Sequence, residues 1–290
     1  MLAATYNDEV KLTFPLLATP KIDGVRALIV DGILVSRSFK PIPNTAVRQS
    51  LEALLPEGAD GEITCGDLYE TTSVVMSKYT RATKLKFSWF DWFSDSPYCN
   101  RVSSIAKYVY THCSPGSHPN VSVISLYPSN ISSMADLEQY ETQMLHQGYE
   151  GIVVRDPKGK YKFGRSTIRE GLMIKIKRYA DCEATIVGTE ELMHNTNERH
   201  KDNFGNAMRS STKAHLTAGD TLGAIIASTG SEPFKIGTGF TVDQRDALWA
   251  NRDTIRGQLV KYKCDKAYKN RPRCPVFLGI RHADDLCSAN

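Results

Sequence analysis

Six consecutive residues, Lys21-Ile22-Asp23-Gly24-Val25-Arg26, combine an amine, a carboxylate, a glycine and a guanidinium. Together they could attack a phosphate. A lysine carries a covalent intermediate when its amine is neutral, a form that neighbouring cations and partial burial favour. Glycine admits a backbone path that a side chain would block. Arginine can grip phosphate oxygens through two parallel hydrogen bonds. Lys175 and Lys177 alternate on an apolar run, so a strand would turn both to one face and supply such cations.

The elements that must position these residues can be read around them. Val25–Val30 and Ile33–Arg37, joined by Asp31-Gly32, predict a β-hairpin with a type I′ turn. Thr45–Leu55 predicts a helix, with Val47, Leu51, Leu54 and Leu55 on one face and Pro56 and Gly58 ending it. Asp60–Ile63, the aromatic run Phe87–Phe93, Glu150–Arg155 and Leu172–Lys177 predict strands. Helices are expected near Asn100–His112 and Ser133–Gln147, the second capped by Gly148. From Asp181 short strands predominate (Ala184–Gly188, Thr221–Ala227, Gln258–Tyr262), with one helix at Val242–Asn251, which suggests a small β-barrel. The polar, basic stretch Leu192–Gly219 lacks apolar periodicity and reads as a long loop, functional or disordered.

A chain of 290 residues suits two domains, with the boundary expected at 179/180. The net charge is only +4, so placement matters more than total. Lys158–Arg178 carries eight basic residues against Glu170, and Lys261–Arg273 carries six against Asp265, which favours a polyanionic partner. Seven cysteines without a C-x-x-C pair argue against a zinc site or a disulfide scaffold. No apolar run reaches membrane-spanning length and the first residues lack a signal-peptide pattern. A soluble intracellular protein is expected, without an obligate protein partner.

In order, Lys21-x-Asp-Gly-x-Arg26, Ser36-Arg37, Asp60-Gly-Glu62, Phe90-Asp91-Trp92, Glu150-Gly-Ile-Val-Val-Arg155 and Lys175-x-Lys177 resemble the motifs of covalent nucleotidyltransferases: DNA ligases, RNA ligases and mRNA capping enzymes. Gly159–Thr167, Lys201–Gly205, Ile236–Phe240 and Pro275–His282 bring the resemblance closer, to minimal viral ATP-dependent DNA ligases of the chlorella-virus type, over essentially the whole chain. The resemblance implies an α+β architecture: an ATP-grasp-like nucleotidyltransferase domain of two antiparallel sheets with flanking helices, then an OB-fold barrel. Residues 192–219 would form a DNA-clamping latch, a β-hairpin closing around the duplex, with Arg199, Lys201, Arg209 and Lys213 towards phosphates.

It further implies nick sealing through a lysyl-AMP made from ATP with magnesium or manganese, acting on nicked duplex DNA as a monomer, in host cytoplasm or nucleus for a viral enzyme. The roles implied are Lys21 as nucleophile, Lys175 and Lys177 at the α-phosphate, Glu62 at the ribose, Phe90 and Thr19 at the adenine, and Glu150 with Asp23 at the metal. Arg37 and Arg165 would grip the nick's 5′-phosphate, with Arg26 near the terminal nucleotides, and Arg281 and Asp285 would orient pyrophosphate. Tyr69 stands near a family aromatic beside the nick's 3′ side, with the spacing one residue shorter. Capping guanylyltransferase and RNA ligase are the rival activities. Glu150-Gly and Lys175-Ile-Lys177 differ from the capping enzymes' usual Asp-Gly and Trp-Lys, and the OB-like tail argues against RNA ligase. A non-catalytic OB-fold binding protein is the rival of another class, and the intact set of Lys21, Glu62, Glu150, Lys175 and Lys177 argues against it.

Overall fold

A computed structural model describes residues 1–7, 11–80, 84–113, 120–201, 205, 207–268 and 271–281. The chain divides into two compact units, Met1–Lys177 and Arg178–Asn290.

The first unit is built on two five-stranded sheets, with elements numbered in chain order. One sheet contains β1 (Ala4–Thr5), β2 (Leu16–Pro20), β8 (Ser129–Ile131), β9 (Gly151–Arg155) and β10 (Ile174–Lys177), in the order β1-β10-β9-β2-β8. The other contains β3 (Val25–Val30), β4 (Ile33–Ser36), β5 (Ala59–Thr64), β6 (Leu85–Trp92) and β7 (Val121–Ser125), in the order β4-β3-β5-β6-β7. Both are antiparallel at their centres, but each ends in one parallel pair, β1 with β10 and β6 with β7, so neither sheet is purely antiparallel. The parallel edge of the second sheet arises because α3 (Tyr98–His112) carries the chain back between β6 and β7. The remaining helices are α1 (Thr45–Glu52), α2 (Leu68–Val75) and α4 (Met134–His146).

Local sequence explains most of these elements. The β3–β4 turn has φ of 53° at Asp31 and 71° at Gly32, the two positive angles a type I′ turn requires. Asn44 caps α1 by accepting from the Val47 amide, and α1 buries Val47 and Leu51. No sequence reading expected α2, an eight-residue helix that buries Thr71, Val74 and Val75 on one face; its mark is the capping box of Asp67 and Glu70. Tyr69 lies on this helix and is exposed. Ala27, Ile29, Leu34, Ile63, Phe87 and Trp89 form much of the core beneath the second sheet; Ala18, Ile152, Val154, Ile174 and Ile176 do so for the first.

The second unit is a five-stranded barrel of β11 (Ala180–Asn195), β14 (Leu216–Ser228), β15 (Phe234–Ile236), β16 (Leu259–Tyr268) and β17 (Arg271–Ile280). The strand order is β15-β14-β11-β16-β17, and a parallel bridge between Thr238 and Val276 closes the ring. With α5 (Val242–Ala250) between the third and fourth barrel strands, this is the OB-fold. Ile186, Leu222, Ile225, Ile236 and Val260 fill the barrel.

Residues 192–219 are not an unstructured loop. β11 and β14 stay paired beyond the barrel to Asn195 and Leu216. A second small hairpin, β12 (Arg199–Lys201) with β13 (Ala207–Arg209), lies at the tip, followed by a 3-10 turn at Lys213–His215. Asn197, buried among polar neighbours, donates to the Asn195 side chain (2.8 Å) and the Thr212 carbonyl (2.9 Å), and accepts from the Thr212 hydroxyl (3.1 Å). A polar network, not apolar alternation, holds the tip, which is why periodicity missed it.

Candidate active site

The site grows from the strand order β10-β9-β2. Lys21 follows the end of β2, Glu150 precedes β9, and Lys177 ends β10 opposite Gly151. Antiparallel pairing therefore sets Glu150 between two lysines. Its Oε2 accepts a short hydrogen bond from Lys21 Nζ and its Oε1 accepts from Lys177 Nζ at 3.1 Å. Burial pushes the Glu150 carboxyl up, but the hydrogen bonds and charges of Lys21 and Lys177 outweigh it and hold it below the usual range. The sequence reading surrounded Lys21 with cations; the structure adds a carboxylate partner directly on its amine.

Glycine is demanded at two places. A Cβ on Gly24 would stand 2.3 Å from the Ile63 carbonyl oxygen, so the loop after Lys21 lies against β5 only without a side chain. Gly151, at φ 155°, would place a Cβ 2.2 Å from the Ile176 carbonyl oxygen of β10. Lys175 shares the outward face of β10 with Lys177, while Ile174 and Ile176 enter the core. Burial, then the charges of Lys177 and Lys21, push the Lys175 amine below the ordinary lysine range.

Beside this cluster opens a cleft lined by Thr19, Lys21, Arg26, Arg37, Glu62, Phe90, Arg165 and Lys175, together with Val153, Arg155 and Met173. Eight of the thirteen sequence-predicted site residues thus meet in one cavity, and Glu150 and Lys177 adjoin it through Lys21. Thr19 is buried, its hydroxyl 3.5 Å from the Val153 carbonyl. Asp23 is close enough to Glu62 to raise its pKa slightly. Burial is the main cause there: it drives the Glu62 carboxyl up to about 7 against the pull of Lys21 and Arg26.

Phe90 reaches the cleft through a bulge. Asp60 pairs with Asp91 and Gly61 with Trp89, so Phe90 is the unpaired residue between them. Trp89 and Asp91 on either side of it are both buried, while Phe90 faces the cavity.

Beneath Phe90 lie charged groups that the sequence reading did not single out as partners. The Arg26 fork, offered above for phosphate, is engaged by Asp60, at 2.8 Å from Nε and 2.6 Å from Nη2. A buried guanidinium needs such a partner. Asp60 also accepts from the Tyr161 hydroxyl at 2.8 Å. Asp91, fully buried, accepts from Arg101 at 2.7 Å and, through a short bond, from Arg155. The Arg26 and Arg155 guanidiniums stand 5.8 Å and 5.5 Å from the centre of the Phe90 ring. Their signal in the sequence was the pair of aspartates beside recognised motif residues, at 60 and 91.

Arg165 is held by a bridge to Leu2 and donates to the Ala3 carbonyl at 2.9 Å. Arg281 belongs to the barrel unit and pairs with Glu183 at 2.6 Å. Asp285 lies outside the described residues.

Comparison with curated proteins finds no match. Residues 1–177 match the ATP-dependent DNA ligase domain family. Two crystal structures of the Chlorella virus DNA ligase-adenylate are similar along nearly the whole chain. One is 38% identical with a TM-score of 0.57, covering 97% of this chain and 98% of that one. The other is 39% identical with a TM-score of 0.58, covering 97% of each. A Lig E DNA ligase, from a study of DNA binding with a minimal scaffold, is 25% identical with a TM-score of 0.70, covering 97% of this chain and 98% of its own. With its lysine, carboxylate and cleft in one unit, an OB-fold in the other, and these matches across both, the chain belongs to the ATP-dependent DNA ligases of the minimal viral type.

Proposed function

We propose that this ligase seals nicks in duplex DNA in three phosphoryl-transfer steps, with Lys21 as the covalent carrier of AMP. The observation that carries the reading is the Lys21–Glu150–Lys177 cluster, flanked by Lys175, at the edge of the cleft that contains Thr19, Glu62 and Phe90. In the first step Lys21 Nζ leaves its ion pair, gives up a proton and bonds to the α-phosphorus of ATP, while the bond to pyrophosphate breaks. Lys175 and Lys177 face the charge that develops on the phosphate oxygens. Glu62 accepts from the ribose hydroxyls, and Phe90, steadied by two guanidiniums, stacks on the adenine with Thr19 at its edge.

Among the described residues no group of three or more His, Cys, Asp or Glu forms a ready metal cage. Glu150 nevertheless offers hard carboxylate oxygens beside the nucleophile, a donor that suits magnesium or manganese completing its shell with phosphate oxygens and water. Glu150, with Asp23, would hold that ion, which when bound neutralises phosphate charge.

AMP then passes to the 5′-phosphate of the nick, gripped by Arg37 and Arg165, and the 3′-hydroxyl attacks that phosphate and expels AMP. Arg26 acts from its place on Asp60, as a wall of the nucleotide pocket. The hairpin of residues 192–219 clamps the duplex through Arg199, Lys201, Arg209 and Lys213, and Arg281 with Asp285 orients pyrophosphate. Incubation with labelled ATP and magnesium, followed by denaturing electrophoresis, tests the reading. Label should attach to the protein, move to nicked DNA, and be absent from Lys21→Ala. Label taken from GTP alone would overturn the ligase assignment in favour of capping.

A further inference from the structure

Phe163 is the single exposed phenylalanine among the described residues, with 73% of its surface open. It is not a loose side chain. Its ring meets Phe93 at 5.2 Å and 75°, and Tyr161 at 5.2 Å and 62°. Phe93 and Tyr161 in turn pack at 4.8 Å, and the Tyr161 hydroxyl is fixed on buried Asp60. The segment around the ring is pinned on both sides. Lys162 pairs with Glu170 at 2.6 Å, and Arg165 is tied to Leu2 and Ala3. Gly164, at φ 141°, makes the turn between ring and arginine. One edge of an aromatic ring is thus supported by two others while the rest is presented to solvent in a fixed orientation.

Its surroundings indicate what it meets. Lys160, Lys162 and Arg165 surround it in sequence, and Arg165 lines the cleft. Isolated exposed apolar side chains need no explanation. This one, however, is held on a platform of two rings, between cations, in a DNA ligase. Two residues span at most about 7 Å of chain, so a phosphate held by Arg165 brings its own nucleotide within reach of the ring.

We propose that Phe163 packs against the deoxyribose of the nucleotide bearing the nick's 5′-phosphate. It would be an uncharged positioning residue for nick binding and sealing, with no part in lysine adenylation. The inference rests on the assignment of Arg165 to that phosphate.

The test compares parent, Phe163→Ala, Phe163→Trp and Arg165→Ala, each adenylated with ATP. Affinity is measured for a fluorescent nicked duplex lacking the 3′-hydroxyl, across a range of salt. Phe163→Ala should weaken binding about tenfold, within the range found for aromatic–nucleotide contacts. Its slope of log affinity against log salt should equal that of the parent, because no charge is removed. Arg165→Ala should lower that slope by about one. Phe163→Trp should retain affinity, and labelling of Lys21 from ATP should stay within twofold in both Phe163 variants. Parent-like affinity of Phe163→Ala would overturn the proposal. So would adenylation falling in step with nick binding, since the ring would then serve the nucleotide step or the fold. A parent protein that binds nicked duplex without salt dependence, or an Arg165→Ala slope equal to the parent's, would instead sink the underlying phosphate assignment.

Discussion

Glu62 and Asp91 illustrate two uses of a buried carboxylate. Glu62 faces the cleft, and burial raises its pKa to about 7. The folded state therefore favours the protonated form: the stability it contributes is complete below the ordinary carboxyl range and is lost as pH rises through 7. The proposed recognition runs the other way, because only the ionised form would accept from both ribose hydroxyls. The kcat/KM for adenylation by ATP should rise with pH through an inflection near 7, and Glu62→Gln should flatten it. A profile unchanged by that substitution would assign the inflection elsewhere. Asp91 instead neutralises Arg101 and Arg155 within the protein. Asp91→Ala would strand two buried guanidiniums at a cost of about 3–5 kcal/mol. Thermal unfolding should register that loss, and a melting temperature equal to the parent's would contradict it. The site residues were legible through resemblance to the family's motifs, but their partners were not. Nothing near Arg26 in sequence announces that its fork is taken by Asp60, thirty-four residues on, because such pairings are made by sheet register.

The elements were legible where a local rule decides them. Asp31-Gly32 admits few alternatives, and α1 combines a cap, an apolar face and a stop. They were illegible where pairing or polar contacts decide. The bulge at Phe90 depends on β5 as much as on β6. The hairpin beyond the barrel contains too little apolar alternation to read as strands, yet β11 and β14 pair into it as far as Asn195 and Leu216, and β12 pairs with β13 beyond. Replacing residues 196–212 by a short turn should cut sealing of nicked duplex at least tenfold while labelling of Lys21 stays within twofold. Equal losses in the two assays would make the hairpin structural.

The whole molecule divides its work between two units. Lys21, proposed as the nucleophile, and the cleft beside it belong entirely to the first, while Arg281 belongs to the second. Its pair with Glu183 is about one-third exposed, so removing it should disturb the fold little. Arg281→Ala is expected to lose labelling by ATP yet still seal a nick that is already adenylated. If both activities survive, the barrel unit contributes nothing to the first step through this residue. No helix among the described residues is long and apolar enough to cross a membrane.

The strands that wall the barrel are the same two that project outward to carry Arg199, Lys201 and Arg209. Their pairing shifts at Ile186/Gly188, Glu190/Glu191 and Glu191/Met193, so the ribbon bends where it leaves the wall. The projecting arm and the barrel are one piece of ribbon, and the three irregularities act as its elbow. Straightening the elbow by deleting an irregularity would leave every cation of the arm intact and aim all of them at the wrong place. The proposed grip on DNA would therefore be set as much by a few unpaired backbone positions as by the arginines and lysines at the end of the arm.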